Sequence, residues 1–193
     1  MNNNQTRTKL SIKNAVIAVL TNIITIFIGF IAQAIFVRTL GKEYLGINGL
    51  FSNIISMLGI VELGIGTTII FHLYKPIASK DITGIRELMG FYKKSYRIIA
   101  LIIAIVGILI VPFLKTIVGE NNIKESIYLI YSLFLIDIVC SYLLTYKRSI
   151  LYANQQTYIV NIIHIFYLVL MNTTQIVILL TTKNYILYLE IKI

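Results

Sequence analysis

Long apolar runs separated by short charged breaks dominate this sequence and decide the solvent in which it can fold. A hydrocarbon core of ~30 Å requires about 20 predominantly apolar residues at 1.5 Å rise each. Five runs, at 14–37, 47–74, 98–114, 127–146 and 158–180, meet or approach that length. A sixth, 184–193, reaches only about 15 Å as a helix, half a bilayer, and carries no flanking anchor. Composition agrees with a lipid solvent. With 58% hydrophobic and 13% charged residues, against about 45–50% and about 25% in a soluble domain, the chain has more apolar surface than one water-facing core can hide. Its single cysteine excludes an internal disulfide, and no Cys/His set has metal-ligand spacing, so neither a covalent staple nor a structural zinc replaces burial. The expected class is an all-α polytopic membrane protein with five transmembrane helices and a truncated sixth, the latter reading as an interrupted helix of a fragment or frameshifted copy of something longer.

The polar, basic segment 1–13 has the character of a signal-peptide n-region. The run after it is too long for an h-region and ends at Val37 and Arg38 without a small-residue cleavage site, so it reads as a retained span. Orientation follows from the short connections, because Lys and Arg are held on the cytoplasmic side. With the N-terminus inside, Arg7, Lys9, Lys13, Lys75, Lys80, Arg86, Lys93, Lys94, Arg97, Lys147 and Arg148 are inner, and Arg38, Lys42, Lys115, Lys124 and Lys183 are outer. The net charge of +9 is therefore mainly a topology signal. It calls for no nucleic-acid partner, which would need a soluble basic face with interleaved aromatics. Several of the 13 tyrosines fall near the expected boundaries, where amphipathic rings prefer to lie. In the inner connection 75–97, Ile82, Ile85, Met89, Tyr92 and Tyr96 share one helical face, the pattern of an amphipathic helix lying in the interface.

Inside the spans the polar residues carry the information. An ionisable group at the bilayer centre costs ~2.5–3.5 kcal/mol on insertion scales, so it is expected to face a bundle interior or a wet cavity. Glu62, in the second run, and Asp137, in the fourth, are such groups. Each reads equally as a site for a driving proton or sodium ion or as a structural acid bonded between helices. Three polar stripes accompany them: Asn22, Thr25, Gly29 and Gln33 on the first run; Asp137, Ser141, Thr145 and Arg148 on the fourth; and Thr157, Asn161, His164, Asn172 and Gln175 on one side of the fifth. Together they point to a hydrophilic cavity whose amides and hydroxyls both donate and accept, as sugar hydroxyls require. Ser52, Ser56, Gly59 and Gly66 form a small-residue seam on the second run, read as packing or as a hinge near Glu62. Pro112 is placed to kink the third helix near its outer end.

No phosphate-binding glycine loop, zinc-protease histidine pair or serine elbow is present, so no catalytic residue, metal site or cofactor is expected and the chain does not read as an enzyme. Cys140 has neither a basic partner nor a helix N-terminus to activate it.

One stretch carries a resemblance. The segment Arg38-Thr39-Leu40-Gly41-Lys42-Glu43-Tyr44-Leu45-Gly46-Ile47-Asn48-Gly49-Leu50-Phe51, then Ile54-Ile55-Ser56-Met57-Leu58 and Glu62-Leu63-Gly64-Ile65-Gly66, resembles the Wzx-type polysaccharide flippases. So do Tyr74-Lys75-Pro76, Leu88-Met89, Tyr92-Lys93-Lys94, Tyr146-Lys147-Arg148-Ser149 and Ala153-Asn154-Gln155. These flippases belong to the multidrug/oligosaccharidyl-lipid/polysaccharide exporter superfamily. The resemblance implies two six-helix bundles working by alternating access in the bacterial cytoplasmic membrane. It also implies transfer of undecaprenyl-diphosphate-linked oligosaccharide to the outer leaflet for capsule, exopolysaccharide or O-antigen assembly. This chain would supply most of the first bundle. Arg38 and Arg148 then become candidate contacts for a diphosphate or acidic sugar, with membrane-boundary anchoring as their other role. The alternative within the superfamily is a cation-coupled exporter of small molecules, which predicts lipophilic cations as substrates and an aromatic, apolar cavity.

Overall fold

The computed structural model describes the backbone of residues 2–62 and 64–193, and side chains from Thr8 onward except Val61 and Leu63. The side chain of Arg7, one of the inner cations, and Leu63 of the Glu-Leu-Gly patch lie outside the described residues. Among the described residues there are helices and connections and no strand. The α-helices are α1 (Asn2–Leu40), α2 (Lys42–Leu58), α3 (Ile65–Ala78), α4 (Ile82–Ile110), α5 (Leu114–Val118), α6 (Ile127–Thr145), α7 (Arg148–Ala153), α8 (Thr157–Thr182) and α9 (Tyr185–Glu190).

Among the described residues, four helical stretches are long and apolar enough to cross a membrane: Thr8–Leu40, Ile82–Val118, Ile127–Thr145 and Thr157–Thr182. Large apolar side chains such as Ile26, Phe27, Phe30, Leu101, Leu109 and Phe166 stand exposed along them, as lipid-facing surface does and water-facing surface does not. The chain is a multi-pass helical membrane protein. The expected count of five spans and a partial sixth is not confirmed, because two of the runs are not single long helices.

First, the run 47–74 is not one helix. α2 ends in a 3-10 turn, Gly59–Glu62, and α3 restarts after Gly64, whose φ of +83° lies in the left-handed region that glycine enters without steric cost. Neither piece alone is long enough to span. In succession they still run the length of the bundle: Ile47 and Phe51 pack with Leu114, Ile130 and Phe134 at one end, and Leu58, Ile69 and Leu73 pack with Tyr92, Tyr96 and Ile99 at the other. Second, the run 184–193 yields only the six-residue α9, capped by Asn184, whose side chain accepts from the N–H groups of Ile186 and Leu187.

The connection 75–97 also differs from expectation. It is not a separate interfacial helix: Asp81 caps α4 by accepting from the Gly84 N–H at 2.9 Å, and the helix then continues unbroken into the third run. Of the face expected to lie on lipid, Tyr92 and Tyr96 turn inward and are buried in the core, Ile85 and Met89 are partly buried, and Ile82 stays exposed. Pro112 acts as expected, converting the end of α4 to a 3-10 turn over Val111–Phe113.

Two pairings organise the bundle. α4 and α6 lie antiparallel at close range, with Gly107 against the Leu135 side chain and the Tyr131 hydroxyl donating to the Gly107 carbonyl at 2.9 Å. α1 and α8 run parallel. The Asn14 side chain clasps the start of α8, its Nδ2 donating to the Gln155 carbonyl and its Oδ1 accepting from the Tyr158 N–H, both at 2.9 Å. Lys13 sits 3.6 Å above the Tyr158 ring.

Candidate functional site

Glu62 lies where the second run breaks. Its Oε1 accepts from the Tyr96 hydroxyl of α4 at 2.6 Å, the Tyr96 ring stacks on Tyr142 of α6 at 6.3 Å, and the Tyr142 hydroxyl reaches the Gly59 carbonyl at 3.5 Å. Gly66 gives this group its room: a Cβ there would stand 3.3 Å from both Glu62 Oε1 and the Tyr96 hydroxyl. Glu62 therefore sits against the first turn of α3, where a helix N-terminus favours negative charge. Glu62 is thus a bonded acid: Tyr96 on its carboxylate ties the broken run to α4, and Tyr142 on the Gly59 carbonyl ties it to α6.

Asp137 is also occupied. Lys192, just beyond α9, approaches its Oδ2 at 2.7 Å and lies 5.4 Å from the Phe134 ring centroid, while the Tyr167 hydroxyl of α8 reaches the Lys192 carbonyl at 3.4 Å. Asp137 is 20% and Lys192 41% exposed, so the pair is open to its surroundings on the lysine side. The segment 184–193 is thus anchored, contrary to expectation.

Three candidate residues from two different stripes come together. Arg148 at the start of α7 and Asn161 and His164 on α8 line one cavity of about 420 Å³ with Tyr152, Tyr167 and an apolar wall of Leu151, Val160 and Ile163. The connection between α6 and α7 folds the chain back here, which brings Arg148 to the first turns of α8. The remainder of the fifth-run stripe goes elsewhere. Asn172 donates to the Leu168 carbonyl of its own helix at 2.8 Å and lines a narrow groove between α1 and α8 with Ile28 and Ile31. Gln175 is buried and donates to the Tyr188 carbonyl at 2.9 Å, so it holds α9 in place. Asn22, Gln33 and Arg38 are exposed on α1, and none lines the Arg148 cavity. The three stripes do not meet in a single cavity among the described residues.

Several residues in these sites escaped the sequence reading: Tyr96 and Tyr142 around Glu62, Lys192 and Tyr167 around Asp137, and Asn14 at the start of α8. A phenol within an apolar run calls for a bonding partner when buried; that signal was present in Tyr131 and Tyr142, whereas Tyr96 stood in the charged connection 75–97. Lys192 carried no such signal, since nothing local ties it to a residue 55 positions earlier.

The geometry defines a class, a helical membrane protein with one bonded acid at a helix break, one ion-paired acid and a cationic, amide-bearing cavity. The chain matches no protein-family model, no curated protein and no solved structure.

Proposed function

We propose that the chain serves in moving lipid-linked oligosaccharide across the bacterial cytoplasmic membrane, with its N-terminus inside, in the manner of the flippases its sequence resembles. The observation that carries this reading is the Arg148, Asn161 and His164 cavity. A guanidinium binds a diphosphate through two parallel N–H bonds, the amide and phenol match sugar hydroxyls, and the apolar wall suits the first part of a lipid chain. The positive-inside pattern puts Arg148 on the cytoplasmic side, where a substrate assembled from cytoplasmic precursors is loaded. Rocking of helical bundles would then carry it across, with Glu62 and Asp137 as the groups whose bonds a coupling proton or sodium ion would exchange.

Binding of undecaprenyl diphosphate to the purified chain in nanodiscs tests the reading. A hydrogen bond to a charged group contributes about 1.5–3 kcal/mol, so Arg148→Ala should weaken binding by roughly 10- to 150-fold, with Arg148→Lys intermediate. Equal affinity of wild type and Arg148→Ala would overturn it. Saturable binding of tetraphenylphosphonium in place of the diphosphate lipid would move the assignment to the exporter of small lipophilic cations.

A further inference from the structure

The end of the bundle opposite Arg148 holds a second and larger recess, of about 1070 Å³, between the first turns of α2, α5 and the loop 119–126. Its floor is apolar, formed by Ile47, Leu50, Val118 and Ile127, and its rim carries Glu43, Lys115, Glu120 and Asn122. The rim is built rather than loose. Asn122 Nδ2 donates to Glu43 Oε1 at 3.3 Å, and the Tyr44 hydroxyl donates to Glu125 Oε2 at 2.6 Å, so two bonds tie the loop to α2. Burial, then the Glu125 carboxylate, raises the Tyr44 phenol above its ordinary range, which keeps it a donor. Gly119, at φ +69°, turns the chain out of α5, and Asn121 closes the next turn by accepting from the Ile123 N–H at 3.3 Å.

The chemistry of this recess is specific. Two carboxylates and one ammonium leave it with one net negative charge and an excess of hydrogen-bond acceptors. Its floor suits a C–H face, and its rim suits hydroxyl or amine donors around the edge of that face. A pyranose ring has both. The volume lies just above the ~300–1,000 Å³ usual for small-ligand sites, room for more than one ring. We propose that this recess binds a short oligosaccharide of neutral or amino sugars and rejects uronic acids, on the side of the membrane opposite the Arg148 cavity. This assignment rests on the proposed handling of lipid-linked glycan and adds to it a receiving site with a charge preference.

Isothermal titration of the chain in nanodiscs with three lipid-free probes, maltotriose, chitotriose and trigalacturonic acid, tests it. The first two are expected to bind saturably, and trigalacturonic acid at least about tenfold more weakly, the equivalent of one unfavourable charge contact near 1.4 kcal/mol. Glu120→Lys should invert the order in favour of trigalacturonic acid, a gain that a misfolded variant cannot produce. Equal binding of acidic and neutral probes, an unaltered order in Glu120→Lys, or binding of trilysine in place of every sugar would overturn the proposal. If no sugar binds while undecaprenyl diphosphate still depends on Arg148, the recess assignment falls and the reading of the Arg148 cavity stands.

Discussion

Substitution of Gly107 by alanine measures how closely α4 and α6 approach. A Cβ built at Gly107 collides with Leu135 Cδ1 and stands 2.9 Å from Cδ2 and 3.2 Å from Cγ, inside ordinary van der Waals distance. Gly90, on the same helix, has no atom within 4 Å of such a Cβ. Alanine is favoured over glycine in a helix by about 1 kcal/mol, so Gly90→Ala should be neutral or stabilising by up to that amount. At Gly107 the same gain is set against overpacking, which costs about 1–3 kcal/mol. Gly107→Ala should therefore be destabilised by about 0–2 kcal/mol and lie about 1–3 kcal/mol below Gly90→Ala. Shortening the obstacle should relieve it: Leu135→Ala alone opens a void, but the methyl introduced by Gly107→Ala occupies part of that space in the double variant. The double-mutant cycle should show a favourable coupling of about 1 kcal/mol or more. The assay is equilibrium unfolding by dodecyl sulfate in mixed micelles, followed by helical circular dichroism. Equal stability of Gly107→Ala and Gly90→Ala, or an additive cycle with Leu135, would refute a glycine-mediated contact between α4 and α6.

Two further outcomes are expected in the same assay. Tyr131→Phe, which loses a bond to the Gly107 carbonyl, should cost about 1 kcal/mol, whereas Tyr92→Phe should cost nothing or stabilise, because the buried Tyr92 hydroxyl has no bonding partner among the described residues; a larger loss at Tyr92 than at Tyr131 would contradict this. Asp137→Asn and Lys192→Met should each destabilise and together show a coupling of up to about 1 kcal/mol, the range for exposed ion pairs, and zero coupling would show that the pair holds nothing in place.

The sequence made the helical class, the apolar passes and the Pro112 kink legible, because each is written in local spacing. It also marked Arg148, Asn161 and His164, but as members of separate stripes, since periodicity along one helix says nothing about where a neighbouring chain reversal delivers an arginine. The break at 59–64 was legible only as an alternative. Gly59, Gly64 and Gly66 permit both a tight packing seam and a left-handed turn, and Tyr96 and Tyr142, bonding Glu62 and Gly59 from other helices, are what the structure adds. The inward turn of Tyr92 and Tyr96 was hidden by the cations Lys93, Lys94 and Arg97 beside them, which give the same segment the periodicity of a lipid-surface helix. Lys192 was illegible because an ion pair between distant residues leaves no local trace.

The clasp of Asn14 on the start of α8 has a consequence for biogenesis. These partners stand 141 and 144 positions apart in the chain, so α1 emerges from the ribosome and enters the membrane long before the helix it runs beside exists. Until α8 arrives, the apolar flank of α1 has no α8 to pack against, and the Tyr158 N–H finds its Asn14 acceptor only when these two helices meet. Loop-closure entropy rises only slowly with the length enclosed, so the delay is kinetic more than energetic. Pairing of α1 with α8 is thus a late ring closure in the synthesis of this segment, with α1 as the waiting partner.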